Sequence, residues 1–170
     1  MPALPQTDFT AQPAAPALIA REIERLLRRI IWVERAGEDR WQRISFIYRV
    51  ADRFGSRVFS HSFCFTAAAA AGCATGSCCQ CRPDVFAGEK EVLDLLPKKT
   101  GNSGFCPFFN LARRTCGIYG VRPFACRIYY NVALSHHSCR NPGEAMLRLF
   151  DTLKPHLEKV LGPYHGGYGG

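Results

Sequence analysis

The sequence lacks an apolar run that could serve as a signal peptide or cross a membrane. Its opening, MPALPQTDFTAQPAAP, has neither a basic segment nor an apolar one, and the following REIERLLRRIIWVER carries many charges. We therefore expect no membrane span and a cytoplasmic location. Common catalytic signatures are missing too: there is no P-loop, G-x-G-x-x-G, H-E-x-x-H or G-x-S-x-G. No catalytic residue can be named, and enzymatic activity stays open.

Acidic residues are few. The 14 Asp and Glu stand against 22 Lys and Arg, which gives a net charge of +8. A nucleic acid or an acidic partner is therefore electrostatically permitted. The basic residues are spread over both halves without a dense run, so a solvated basic surface is the preferred interpretation, and no motif supports a nucleic-acid partner.

Cysteine, by contrast, is abundant, with nine residues in 170. A chain of this length, 47% hydrophobic, can build one core without covalent staples. Disulfides persist in oxidising compartments, and an odd number of cysteines would leave one thiol over. We therefore expect the cysteines to hold metal rather than to form disulfides.

The hydrophobic pattern predicts a mainly α fold in which helices flank an irregular, loop-rich, cysteine-ligated metal-binding core. Residues 1–16 are expected to be a flexible arm and residues 163–170 a flexible tail. Between them, residues 17–162 form a single metal-binding domain. It comprises N-terminal helices in 17–71, the cysteine-cluster core in 72–141 and a closing helix in 142–162.

Individual helices have local signals. Apolar residues at spacings of three and four predict one helix over 17–36. Asp39 is a candidate N-cap for a second helix with Trp41 on its buried face, ending at Gly55. A shorter helical stretch is expected around residues 89–96. Pro155 is expected to kink or break the closing helix.

The first cysteine run is Cys73-Ala-Thr-Gly-Ser-Cys78-Cys79-Gln-Cys81. Cys73, Cys78 and Cys81 have the C-x4-C-x2-C ligand spacing of plant-type [2Fe–2S] ferredoxins. Adjacent side chains diverge, so Cys79 serves either a second metal or remains a thiol. Cys64, between two phenylalanines and apart from this run, is interpreted as a small buried hydrophobe.

The later cysteines, Cys106, Cys116, Cys126 and Cys139, are separated by gaps too long for a metal knuckle, so they would converge in space from different loops. Thiolates in such number favour zinc or an iron–sulfur cluster. Two four-thiolate sites, or one cluster with further redox-active or structural thiols, are both compatible. His136 and His137 are expected on the surface.

The later motif resembles a known family. Cys106-Pro-Phe-Phe-Asn, followed by Cys116-Gly-Ile-Tyr-Gly-Val-Arg-Pro-Phe-Ala-Cys126-Arg-Ile-Tyr, is similar to the zinc- or iron-chelating domains called YkgJ-like or CxxCxxCC cysteine-cluster proteins. The likeness covers about residues 72–140. The family's first cluster ends in an adjacent Cys pair after two spaced cysteines, whereas here Cys81 follows the pair. The resemblance implies metal binding and an iron–sulfur oxidoreductase label, but it supplies no substrate.

Two arginines flank the last cysteine of this motif. Arg122 and Arg127 would place positive charge near the thiolates, where it would offset a negatively charged cluster and raise its reduction potential. Pro123 fixes the backbone ahead of Cys126.

The sequence thus predicts an iron–sulfur protein, with a [2Fe–2S] or [4Fe–4S] cluster, that serves electron transfer or assists a modification reaction with an unknown redox or protein partner. The alternative is a zinc-stapled module that binds a protein or RNA partner without chemistry. A third possibility is a metal-dependent modification enzyme with an open coordination position.

Overall fold

The computed structural model describes residues 16–37, 39–59, 84–98, 105–113, 115–128 and 144–168. This part of the chain is mainly helical, as predicted, and its remaining elements are four short strands and one 3-10 turn. The helices are α1 (Pro16–Arg35), α2 (Arg40–Phe59), α3 (Ala87–Asp94), α4 (Phe124–Ile128) and α5 (Glu144–Leu161). The strands are β1 (Asp84–Phe86), β2 (Phe109–Asn110), β3 (Thr115–Cys116) and β4 (Tyr164–Gly167).

The two N-terminal helices follow the predicted pattern. In α1 the apolar stripe is buried through Leu26, Ile30 and Val33. Asp39 caps α2, because its Oδ2 accepts the backbone N–H groups of Trp41 at 3.1 Å and Gln42 at 3.4 Å.

Two details of α2 differ from the expectation. The helix continues through Gly55 to Phe59, and the added turn buries Val58 at 6% exposure. Apolar burial therefore outweighs the low helix propensity of glycine. Trp41 is 47% exposed instead of buried, because it lies in the first turn of α2 beyond the packed stretch.

The closing helix α5 continues through Pro155, so of the two predicted effects of this proline, a kink or a break, the break does not occur. Pro155 is exposed, which leaves the carbonyl that loses its helical partner accessible to water. The helix ends at Leu161, and Gly162 follows it with a φ of +86°, which suits a residue without a Cβ.

Residues 164–168 do not form the expected flexible tail. Strand β4 pairs antiparallel with β1, with Asp84 opposite Gly167 and Phe86 opposite Tyr164. Tyr168, the next residue, is only 4% exposed and donates a hydrogen bond from its hydroxyl to Asp94 at 2.8 Å. The buried tyrosine and the strand pairing fix this segment although it is rich in glycine.

Two apolar clusters hold these elements together. The larger one, which we call the helical core, joins α1, α2, α4 and α5 around Ile47, Phe124 and Leu157. The smaller one, which we call the hairpin core, lies under the β2–β3 hairpin and contains Cys106, Phe108, Ile118 and Tyr168. No helix in the described part of the chain is long and apolar enough to span a membrane.

Candidate metal centre

A two-stranded hairpin brings two of the predicted metal ligands together. Strands β2 and β3 pair antiparallel, with Phe109 opposite Cys116. Cys106 precedes β2 and opens a tight turn, in which its carbonyl accepts the N–H of Phe109 at 2.9 Å. On the other strand of the hairpin, just after Cys116, the N–H of Gly117 donates to the carbonyl of Phe108 at 2.8 Å. Both cysteines therefore lie at the same end of the hairpin, although nine residues separate them in sequence.

Each of these sulfurs accepts a backbone hydrogen bond from the residue two positions later. The N–H of Phe108 points to the Cys106 sulfur, and the N–H of Ile118 points to the Cys116 sulfur. Backbone donors aimed at sulfur favour the thiolate over the thiol. The same bonds are among the features that tune metal–thiolate sites.

Burial opposes this effect. Desolvation raises the pKa of the Cys106 thiol, whose residue is 7% exposed, and the charge of Cys116 raises it further. Burial also raises the pKa of the Cys116 thiol. The thiols of Cys106 and Cys116 are therefore close enough for the charge of one to oppose ionisation of the other. A bound metal ion would offset this repulsion, because coordination deprotonates a thiol.

The third described cysteine, Cys126, lies on α4. Its neighbours Ala125 and Arg127 are both buried, whereas Cys126 itself is partly exposed. Burial is the main cause that raises the pKa of Tyr48 on α2, and the charge of Cys126 adds a small increase, so Cys126 lies in the neighbourhood of Tyr48.

Arg122 lies near one of the two hairpin cysteines, Cys116. Its positive charge lowers the pKa of the Cys116 thiol, against the larger effect of burial. The guanidinium lies 4.1 Å from the centre of the Tyr119 ring, and its Nη2 is 3.6 Å from Oδ1 of Asp52. Arg122 is 8% exposed, so little water screens this charge.

Arg127 has a different environment. Its Nε donates to the carbonyl of Arg122 at 2.8 Å and its Nη2 to the carbonyl of Gly120 at 2.7 Å. Its Nη1 donates to Asp52, and the guanidinium stacks over Tyr48 at 4.1 Å. Arg127 is 2% exposed, and its hydrogen bonds link the turn that precedes α4 to helix α2. The turn carries Arg122, so Arg127 sets where that charge lies.

The sequence reasoning missed the acidic partners of this turn. Asp52 on α2 pairs with both arginines, and it lies one helical turn after Tyr48. Glu89 on α3 is fully buried and accepts the N–H of Phe124 at 2.6 Å and that of Phe86 at 3.1 Å. Burial raises the pKa of Glu89 to about 7, although these bonds, the Tyr48 hydroxyl and Arg127 lower it. The position of Glu89 in the first turn of α3 is a local signal for part of this role, because a glutamate there can accept the N–H that precedes the helix.

The remaining predicted ligands, Cys73, Cys78, Cys79, Cys81 and Cys139, lie outside the described residues, as do Cys64 and the pair His136 and His137. The expected arm lies outside them as well, apart from Pro16. Within the described ranges, no group of three or more His, Cys, Asp or Glu side chains is close enough to hold a metal ion. The described chain therefore contributes two neighbouring thiols and a third on α4, but no complete ligand set.

No protein-family model, curated protein or solved structure matches this chain. The likeness to the YkgJ-like proteins rests on the cysteine motifs quoted above.

Proposed function

We propose that this chain binds an iron–sulfur cluster through cysteine thiolates and serves electron transfer or a redox-assisted modification. Cys106, Cys116 and Cys126 are the ligands we assign among the described residues. Cys73, Cys78, Cys79, Cys81 and Cys139 are the further candidates from the sequence. A bound cluster would supply one-electron transfer.

The observation that carries this proposal is the pair of thiols on the β2–β3 hairpin. Cys106 and Cys116 each begin a turn that returns a backbone N–H to the sulfur. Two independent turns with the same donor arrangement meet at one end of a hairpin. Such donors stabilise negative sulfur and so suit metal ligation, although burial is the larger effect and raises the pKa of both thiols.

Arg122 and Arg127 have separate roles in this proposal. Arg122 brings positive charge to Cys116, which would favour the reduced, more negative state of a cluster held there. Arg127 is a positioning residue, because its donors hold the backbone of residues 120 and 122 against Asp52. The sequence predicts that both arginines act as nearby charges. In this proposal Arg122 acts as a charge, whereas Arg127 holds the backbone in position.

A zinc-stapled module that binds a protein or RNA partner is the second candidate. It is favoured by the small size of the hairpin core and by the two-residue strands above it, which bury little apolar surface. A closed zinc site would contribute folding free energy to such a hairpin outright. This candidate has the same thiol ligands but no redox activity.

Substitution of the hairpin cysteines tests the ligand assignment. Cys106→Ser and Cys116→Ser should each lower the metal bound per chain and reduce solubility, because metal binding is coupled to folding. Cys64→Ser is the matched control, since it removes a thiol that we assign to packing. Metal content is measured by mass spectrometry on anaerobically purified protein. Loss of metal from Cys64→Ser with retention in both hairpin variants would overturn the assignment.

A further inference from the structure

Helices α1 and α2 carry an unusual set of basic residues. Together they contain ten arginines and no lysine. Four of the arginines line one cleft between the two helices, namely Arg25, Arg29, Arg53 and Arg57. One carboxylate, Glu22, lies in the same cleft. Four positive charges therefore stand against one negative charge.

Glu22 holds two of these arginines in place. It is 4% exposed, and it accepts hydrogen bonds from Arg25 Nη1 at 2.6 Å and Arg57 Nη1 at 3.1 Å. Burial alone would raise the pKa of Glu22, but the hydrogen bonds and charges of Arg57 and Arg25 together lower it. The carboxylate is therefore ionised at neutral pH and fixes two guanidinium groups whose outer edges remain accessible.

Among the residues that the structure describes, the other two cleft arginines have no such partner. Arg29 and Arg53 are exposed, and neither forms an ion pair within the described ranges. Their charges repel those of Arg25 and Arg57 across the cleft. An anion placed there would relieve this repulsion, and guanidinium groups match the oxygens of a phosphate better than ammonium groups do.

An aromatic surface continues the cleft towards the end of α1. Trp32 is 54% exposed and lies one helical turn beyond Arg29. Its ring is 5.5 Å from that of Phe46 on α2, and the Arg49 guanidinium lies 5.9 Å from the Phe46 ring. At a rise of 1.5 Å per residue, Trp32 and Arg25 are about 10 Å apart along the helix axis. Arginines and an exposed indole thus share one strip of surface.

We propose that the cleft between α1 and α2 binds single-stranded nucleic acid. The arginines would contact the phosphate backbone, while Trp32 would stack on an unpaired base. A single strand fits better than a duplex, because the bases of a duplex are already stacked on one another and do not offer a face to the indole. This inference rests on residues of α1 and α2 and does not depend on which metal the cysteines bind.

The test measures fluorescence anisotropy of labelled oligo-dT and oligo-U on addition of the metal-loaded protein. The double variant Arg29→Gln/Arg53→Gln should weaken binding on the order of tenfold, and it should reduce the slope of log K against log salt by about 1.4, or 0.7 per phosphate contact. Arg28→Gln/Arg113→Gln is the control, because it removes the same charge from exposed positions outside the cleft. Circular dichroism verifies that each variant is folded.

A second readout tests stacking. The chain has two tryptophans, so Trp41→Phe leaves Trp32 as the only indole. Its fluorescence should be quenched by the oligonucleotide. Equal weakening of oligonucleotide binding by the cleft and control variants, or absence of Trp32 quenching, would refute this specific site. Binding would then be explained by the overall positive charge of the surface. Binding to phosphatidylserine vesicles but to neither oligonucleotide would replace the proposal with a membrane surface. Binding to neither probe would leave a solvated basic face.

Discussion

The role of Arg127 gives the sharpest prediction about the fold around the cysteine motif. Arg127→Met keeps much of the apolar stem but removes the guanidinium. Three groups then lose a charged donor: the carbonyls of Gly120 and Arg122, and Asp52. Stacking over Tyr48 is lost as well. If Arg127 served only as a distant charge on a cluster, its substitution should leave the free energy of unfolding unchanged.

The magnitude follows from the partners. A hydrogen bond to a charged group contributes about 1.5–3 kcal/mol to stability. Gly120 and Asp52 are accessible to water, which can replace part of what they lose, whereas the Arg122 carbonyl belongs to a residue that is 8% exposed. We therefore expect Arg127→Met to lower the free energy of unfolding by about 3 kcal/mol, or Tm by roughly 10 °C.

Urea unfolding followed by circular dichroism measures this change, with the metal content of each sample determined beforehand. The matched control is Arg28→Met, because Arg28 is 69% exposed and, within the described ranges, pairs along the helix with the similarly accessible Glu24. That exposed pair should contribute almost nothing. A loss below 1 kcal/mol for Arg127→Met at equal metal content, or one no larger than that of Arg28→Met, would refute the positioning role.

Three further predictions concern buried groups and the cluster. Burial raises the pKa of Glu89 from 4.5 to about 7. Between these two pH values, Glu89 therefore keeps a proton in the folded chain that it has released in the unfolded chain. Stability should therefore fall as pH rises from about 4.5 to about 7, and Glu89→Gln should remove that slope in urea titrations at several pH values. Tyr168→Ala should lower the free energy of unfolding by about 3 kcal/mol, because it leaves a cavity in the hairpin core. Tyr168→Phe should lower it much less, and equal losses for the two variants would contradict the packing role. Arg122→Gln should lower the midpoint potential in a redox titration because a nearby positive charge is removed, and an unchanged or higher midpoint would argue against that charge effect.

The helices were largely predictable because their signals are local. The apolar spacing in α1 and the Asp39 cap of α2 lie within a few residues of the elements that they define. The mispredicted end of α2 has a tertiary cause, since the burial of Val58 is not visible from the neighbouring Gly55.

The strands were not predictable for the opposite reason. Strand β1 pairs with β4 across about eighty residues of chain, and the glycine-rich sequence of β4 has no alternation of apolar and polar side chains. The partner strand, the contacts of Tyr164 and the burial of Tyr168 give that segment its conformation.

The candidate site was predictable in its residue types but not in its arrangement. Spacing alone did not decide the role of Cys106, and it gave no reason to place Cys106 beside Cys116. The turns on either side of the β2–β3 hairpin do so. Asp52 and Glu89 were missed because their partners, Arg127 and the N–H of Phe124, are distant in sequence.

The central claim, a redox-active cluster on cysteine thiolates, is tested most directly by anaerobic purification with metal and acid-labile sulfide analysis and a visible absorption spectrum. The account predicts iron with stoichiometric sulfide and a brown chromophore that dithionite bleaches. Zinc without sulfide, in a colourless protein, would contradict it and make the cysteine site structural.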